Sequence, residues 1–156
     1  MSATYASGTS LTVALGDGLA AGLTGAVLSG VPSTTVTVWR GEDVLEGVLA
    51  AGSILRPRER RTAPLVAAAV PVHLALSLGW AAVLSLAVPP GRELAGATLG
   101  ALGIAALDLG LIARAFPRIR ALPQGRQWAD HVAYGLAVGA VLRTRRRARL
   151  SRPGAP

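Results

Sequence analysis

A chain of 156 residues has room for one domain. With 51 % hydrophobic residues, 15 % charged residues and a mean hydropathy of +0.48, it falls short of the roughly 25 % charged residues that a water-soluble domain carries. The absence of Cys excludes disulfides, thiolate metal sites, Cys nucleophiles and S-acylation. The net charge of +8 comes from 16 arginines with no lysine. These arginines sit beside apolar runs without the interleaved aromatics that stack on bases, which argues against nucleic acid. Their expected roles are to set topology and to meet anionic lipid head groups.

The first ten residues hold no charge, whereas a secretory signal opens on a positive segment. The first apolar run, 11–31, closes at Pro32, which cannot continue a helix from within. Gly18, Gly22, Ala26 and Gly30 fall at four-residue spacing in it. Such a stripe lets membrane helices approach closely, where packing replaces the missing hydrophobic drive. A polar connection follows. Residues 43–55 then read as a short amphipathic helix, with acids at its start and Arg56 at its end as the helix dipole prefers. It is too short to span and is expected to lie in the interface.

The pattern is organised around 64–116, two apolar runs that fold back at Pro89-Pro90-Gly91-Arg92-Glu93. No charged residue lies between Arg61 and Arg92, a run longer than the roughly 20 residues needed to cross a bilayer. The spacing predicts helices over 64–88, with Pro71 a candidate kink, and over 94–116, with small residues Gly96, Gly100, Gly103 and Gly110. After a basic, proline-punctuated connection comes a last apolar piece, 127–142, with Gly135 and Gly139 at GxxxG spacing. It is short for a span, although Arg126 and Arg143 can snorkel outward. The basic segment 143–156 is expected to be disordered.

The fold class implied is an all-α integral membrane protein. It is a single domain over 1–156: a bundle of four membrane helices with Gly/Ala-rich packing faces plus one amphipathic interfacial helix. The alternative is three spans with a re-entrant or interfacial last helix. Eight arginines in the connections 32–62 and 117–126, with Arg114 just before the second, favour a cytoplasmic place for those loops, while the six in the tail pull the other way if 127–142 spans.

A charge at the centre of a membrane helix costs about 2.5–3.5 kcal/mol on insertion scales, so intramembrane polar groups are functional candidates. In an antiparallel hairpin, residues equally far from the turn share one depth. His73 lies 18 residues before Gly91 and Asp108 17 after it, which points to a His73–Asp108 hydrogen bond across the hairpin. Structural glue outweighs a proton or ion relay as its role. Weaker candidates are Asp17, expected to reach the interface, and Asp130 and His131, expected to cap the last helix. No HxxxH or HxxE spacing marks a metal site, and neither a catalytic residue nor a cofactor is indicated.

The strings Gly30-Val31-Pro32-Ser33-Thr34, Leu107-Asp108-Leu109-Gly110, 116–123 (FPRIRALP) and 129–135 (ADHVAYG) resemble small multi-pass membrane proteins of GC-rich bacteria that have no assigned activity. The resemblance implies an integral membrane protein and no catalytic residue. Two functions follow as expectations. The first is a non-enzymatic accessory or structural subunit of the cell membrane, packing through its glycine stripes on itself or on a partner. The other is a small permease or proton-coupled carrier using His73 and Asp108.

Overall fold

The computed structural model describes residues 6–151, with side chains from Leu11 onward. The described residues form helices and connections, with no strand. In chain order the helices are α1 (Ala6–Leu28), α2 (Val31–Trp39), α3 (Glu46–Gly52), α4 (Thr62–Ala87), α5 (Glu93–Gly110), a 3-10 turn (Ile112–Ala115), α6 (Pro117–Ala121) and α7 (Gln124–Leu150). Three stretches are long and apolar enough to cross a membrane: Leu11–Trp39, Thr62–Ala87 and Glu93–Ala115. Only 28 %, 28 % and 22 % of their most apolar windows lie buried inside the bundle. The remainder, including Val27, Val70 and Leu99, is an exposed greasy surface of the kind that lipid solvates.

The four long helices pack antiparallel in the order α4, α1, α7, α5. Their contacts are built from small residues. Ala21, Ala81, Ala97, Ala101 and Ala105 are fully buried, and Val138 and Leu142 fill the spaces between. Gly18 and Gly22 of α1 lie against the backbone of α4, where an added Cβ would meet Ala82 Cα at 2.8 Å and Leu78 Cα at 2.9 Å. Gly135 and Gly139 of α7 lie in the same way on Thr98 and on Glu93–Leu94 of α5. These two glycine stripes are therefore used inside the chain.

The hairpin differs from the sequence-based expectation. Its turn is present, with Gly91 in the left-handed region (φ +85°) that glycine adopts without strain. Its arms, however, touch only near that turn, where Val88 covers Gly96 and Leu84 covers Gly100. Beyond it they splay apart, because α1 and α7 offer them closer partners than they offer each other.

Helix ends are corrected as well. The first helix stops at Leu28, and Pro32, expected to end it, instead opens α2, where a first-turn residue has no N–H partner to lose. The 43–55 helix shortens to α3, because Asp43 Oδ1 accepts the Leu45 N–H at 2.8 Å and holds a turn before it. That helix packs on the start of α4, with Gly52 on the Leu65 carbonyl. Helix α4 continues through Pro71. The 94–116 helix ends at Gly110 and tightens to a 3-10 turn, since Phe116 precedes Pro117 and is pushed out of the α region. The largest change is at the C-terminus. Residues 143–150, expected to be disordered, extend α7, because acids from two other helices neutralise their arginines. Residues 152–156 of that segment lie outside the described ones.

Candidate functional site

Polar side chains gather at two levels. At the end that holds the Pro89–Glu93 turn, Asp17 of α1 is 1 % exposed, so its charge needs partners. Arg145 Nε donates to Oδ1 at 2.8 Å, Arg149 Nη1 donates to the same oxygen at 2.8 Å, and Arg149 Nη2 pairs with Oδ2. One turn of helix separates the two arginines, which lets both reach one carboxylate. Arg146 faces the next gap. It donates to the Ser85 and Val88 carbonyls at 2.7 and 2.9 Å and pairs with Glu93 Oε1 at 3.4 Å. Glu93 Oε1 also accepts the Gly91 N–H at 3.1 Å, tying the turn to α7. Asp17, expected to reach the interface, is instead locked between the first and last helices.

At the other level the splayed arms leave a cleft of about 700 Å³. Its walls come from α4, α5 and α7, and α3 and α6 close it at the end. His73, Asp108, Asp130 and His131 all line it. The His73–Asp108 hydrogen bond is not formed. The two residues stand on separate walls of the cleft, and each has a nearer partner. His73 Nε2 donates to the Ala26 carbonyl at 2.8 Å. Asp108 Oδ2 lies 3.5 Å from His131 Nε2.

Asp130 and His131 do not cap their own helix, which begins at Gln124. Asp130 Oδ1 instead accepts the Ser33 N–H at 2.9 Å, so it caps α2, whose first-turn amides lack helical partners. His131 Nδ1 lies 2.8 Å from the Gln127 carbonyl. A carbonyl only accepts, so Nδ1 carries the hydrogen. Its Nε2 is thereby left facing Asp108.

Tyr134 and Trp80 complete the cleft, and neither was singled out for it by sequence reasoning. The Tyr134 hydroxyl donates to the Ser77 carbonyl. Its ring lies over Gly25, where a Cβ would come within 2.6 Å of it. Trp80 lines the α4 wall, and its indole N–H is buried without a partner among the described residues. The signal for Tyr134 was a large amphipathic ring opposite a glycine on another helix, which shows only once α1 and α7 are known to be neighbours. Gly30 and Gly103, expected to pack, have at most a loose neighbour.

Outside the apolar stretches the ion pairs among the described residues include a long-range one, Arg126–Glu42, and a local one, Arg61–Glu59. Arg126 donates to both Glu42 oxygens and, at 3.2 Å, to Thr37 Oγ1, which holds the Glu42 carboxyl below its usual range. Arg61, helped by the N–H groups of Arg61 and Arg60, pulls Glu59 down to about 2. Among the described residues no three His, Asp or Glu side chains gather closely enough to hold a metal ion. No protein family, no curated protein and no solved structure matches the chain.

Proposed function

We propose that this chain is a multi-pass protein of the cell membrane in which α7 forms a fourth span, and that it works without covalent chemistry as a small proton-coupled carrier. The fourth span is supported by packing. Helix α7 lies antiparallel to α1 and α5, which are each apolar enough to cross, and its glycines sit on the first two turns of α5. Arginines at both ends of the bundle face the head-group layers, where anionic lipids attract them.

The observation that carries the carrier reading is the convergence of His73, Asp108, Asp130 and His131 on one cleft. Four ionisable side chains on three helices are costly there and are hard to explain as packing alone. The test is solute-free proteoliposomes under a pH gradient. Wild-type protein should dissipate the gradient when solute is added, and Asp108→Asn should abolish this while remaining monodisperse. Equal flux in both would end the reading.

A non-enzymatic accessory subunit is the second reading. His73 also lines an outer groove of about 750 Å³ along α1 and α2, beside Trp39. A polar group on a lipid-facing groove is a place for a helix of a second copy to bond. Intramembrane crosslinks from position 38 to a second copy would favour this reading, and a monomer throughout would remove it.

A further inference from the structure

The chemistry of the cleft wall restricts what it can hold. No arginine among the described residues lines it, although both ends of the bundle are rich in them. The acidic side chains in its lining are Asp108 from α5 and Asp130 from α7. The aromatic rings of Trp80, Phe116 and Tyr134 face the same space, amid aliphatic side chains of α3, α4 and α5. Acids and aromatic faces in an apolar pocket attract a cation that also carries apolar surface. A volume near 700 Å³ suits a drug-sized molecule.

The Asp108–His131 contact adds a second constraint. With Nδ1 committed to the Gln127 carbonyl, a neutral His131 would aim the Nε2 lone pair at the Asp108 carboxylate, 3.5 Å away. Two electron-rich groups repel at that distance. The contact is stable when the two residues share one extra proton, as imidazolium with carboxylate or as imidazole with carboxylic acid. The other titratable groups facing them are Asp130 and Tyr134 on α7 and His73 across the cleft on α4; α1, α2 and α3 present none.

We propose that the cleft binds a lipophilic organic cation, and that its arrival beside Asp108 and Asp130 expels the proton shared by Asp108 and His131. The step balances: the Nε2–H bond breaks, its electron pair stays on the imidazole, the proton leaves to water, and the cation takes its place as counter-charge. This deepens the carrier reading by naming the class of solute and the origin of the exchanged proton.

The experiment is titration of the purified full chain in detergent with tetraphenylphosphonium, by calorimetry and with a pH indicator. Saturable binding should release one proton per cation and should tighten about tenfold per pH unit while the pair is protonated. Asp108→Asn should bind without that pH dependence. Tetraphenylborate, of the same shape and opposite charge, should bind at least about a hundredfold more weakly; this contrast needs no variant to fold. Equal binding of both ions, or binding of neither, overturns the proposal. Cation binding with proton release but without flux in proteoliposomes leaves this site standing and removes the carrier reading. Proton flux without cation binding does the reverse.

Discussion

The two ends of the bundle use the same materials to opposite effect. Near the turn at Gly91, each acid is matched: Asp17 by two arginines, Glu93 by one arginine and a backbone amide. Backbone meets backbone there across Gly18 and Gly139. At the cleft, the acids have looser or single partners, and the helices stand apart. The difference lies in where the arginines are. An acid answered by a guanidinium fork becomes a fixed joint. An acid facing histidine and aromatic rings keeps its capacity to respond.

The largest effect expected is from unmatching the joint. Replacing Arg145 and Arg149 together by Ala leaves Asp17 as an uncompensated buried charge, which costs about 3–5 kcal/mol. The reverse change, Asp17→Asn, leaves behind arginines that are already partly exposed and costs less. Unfolding in mixed micelles checks both, and equal losses would show that the pairs are incidental. Next come the glycines. Gly139→Ala and Gly18→Ala place a Cβ at 2.7 and 2.8 Å from main-chain atoms that cannot move aside, for a loss of about 1–3 kcal/mol each. Gly103→Ala, with nothing within 4 Å, should be neutral or gain up to about 1 kcal/mol through helix propensity. If Gly103 behaves like Gly139, the contrast between a fitted and an unfitted glycine fails.

The smallest effect concerns pH at the cleft end. Glu59 is lowered from 4.5 to about 2 by Arg61. A depressed carboxyl contributes stability that is fully present above its unfolded value and is lost as pH falls through the folded one. The 56–61 connection should therefore loosen between about pH 4.5 and pH 2, read as faster proteolysis there, and Glu59→Gln should remove that dependence.

The long apolar segments and the turn were legible because an uncharged run has few alternatives. His73 and Asp108 were legible as polar groups inside apolar runs, and both line the same cleft. Their partners were not, because depth says nothing about azimuth: a helix neighbour is chosen around the bundle axis, and α1 and α7 displaced the two arms from each other. The pairing of Asp17 with Arg145, 128 residues apart, has no local signature at all. Read alone, 143–150 is a basic tail; its order comes from acids that sequence proximity cannot supply.

That long-range clasp also orders events in time. During synthesis the carboxylate of the first helix emerges well before the guanidiniums that satisfy it, which lie 128 and 132 residues further along the chain. Until they arrive, that helix carries an unanswered anion, so the bundle can lock only after α7 has been made. A chain truncated before Arg145 would leave Asp17 without its partners, although every strongly apolar segment is already in place.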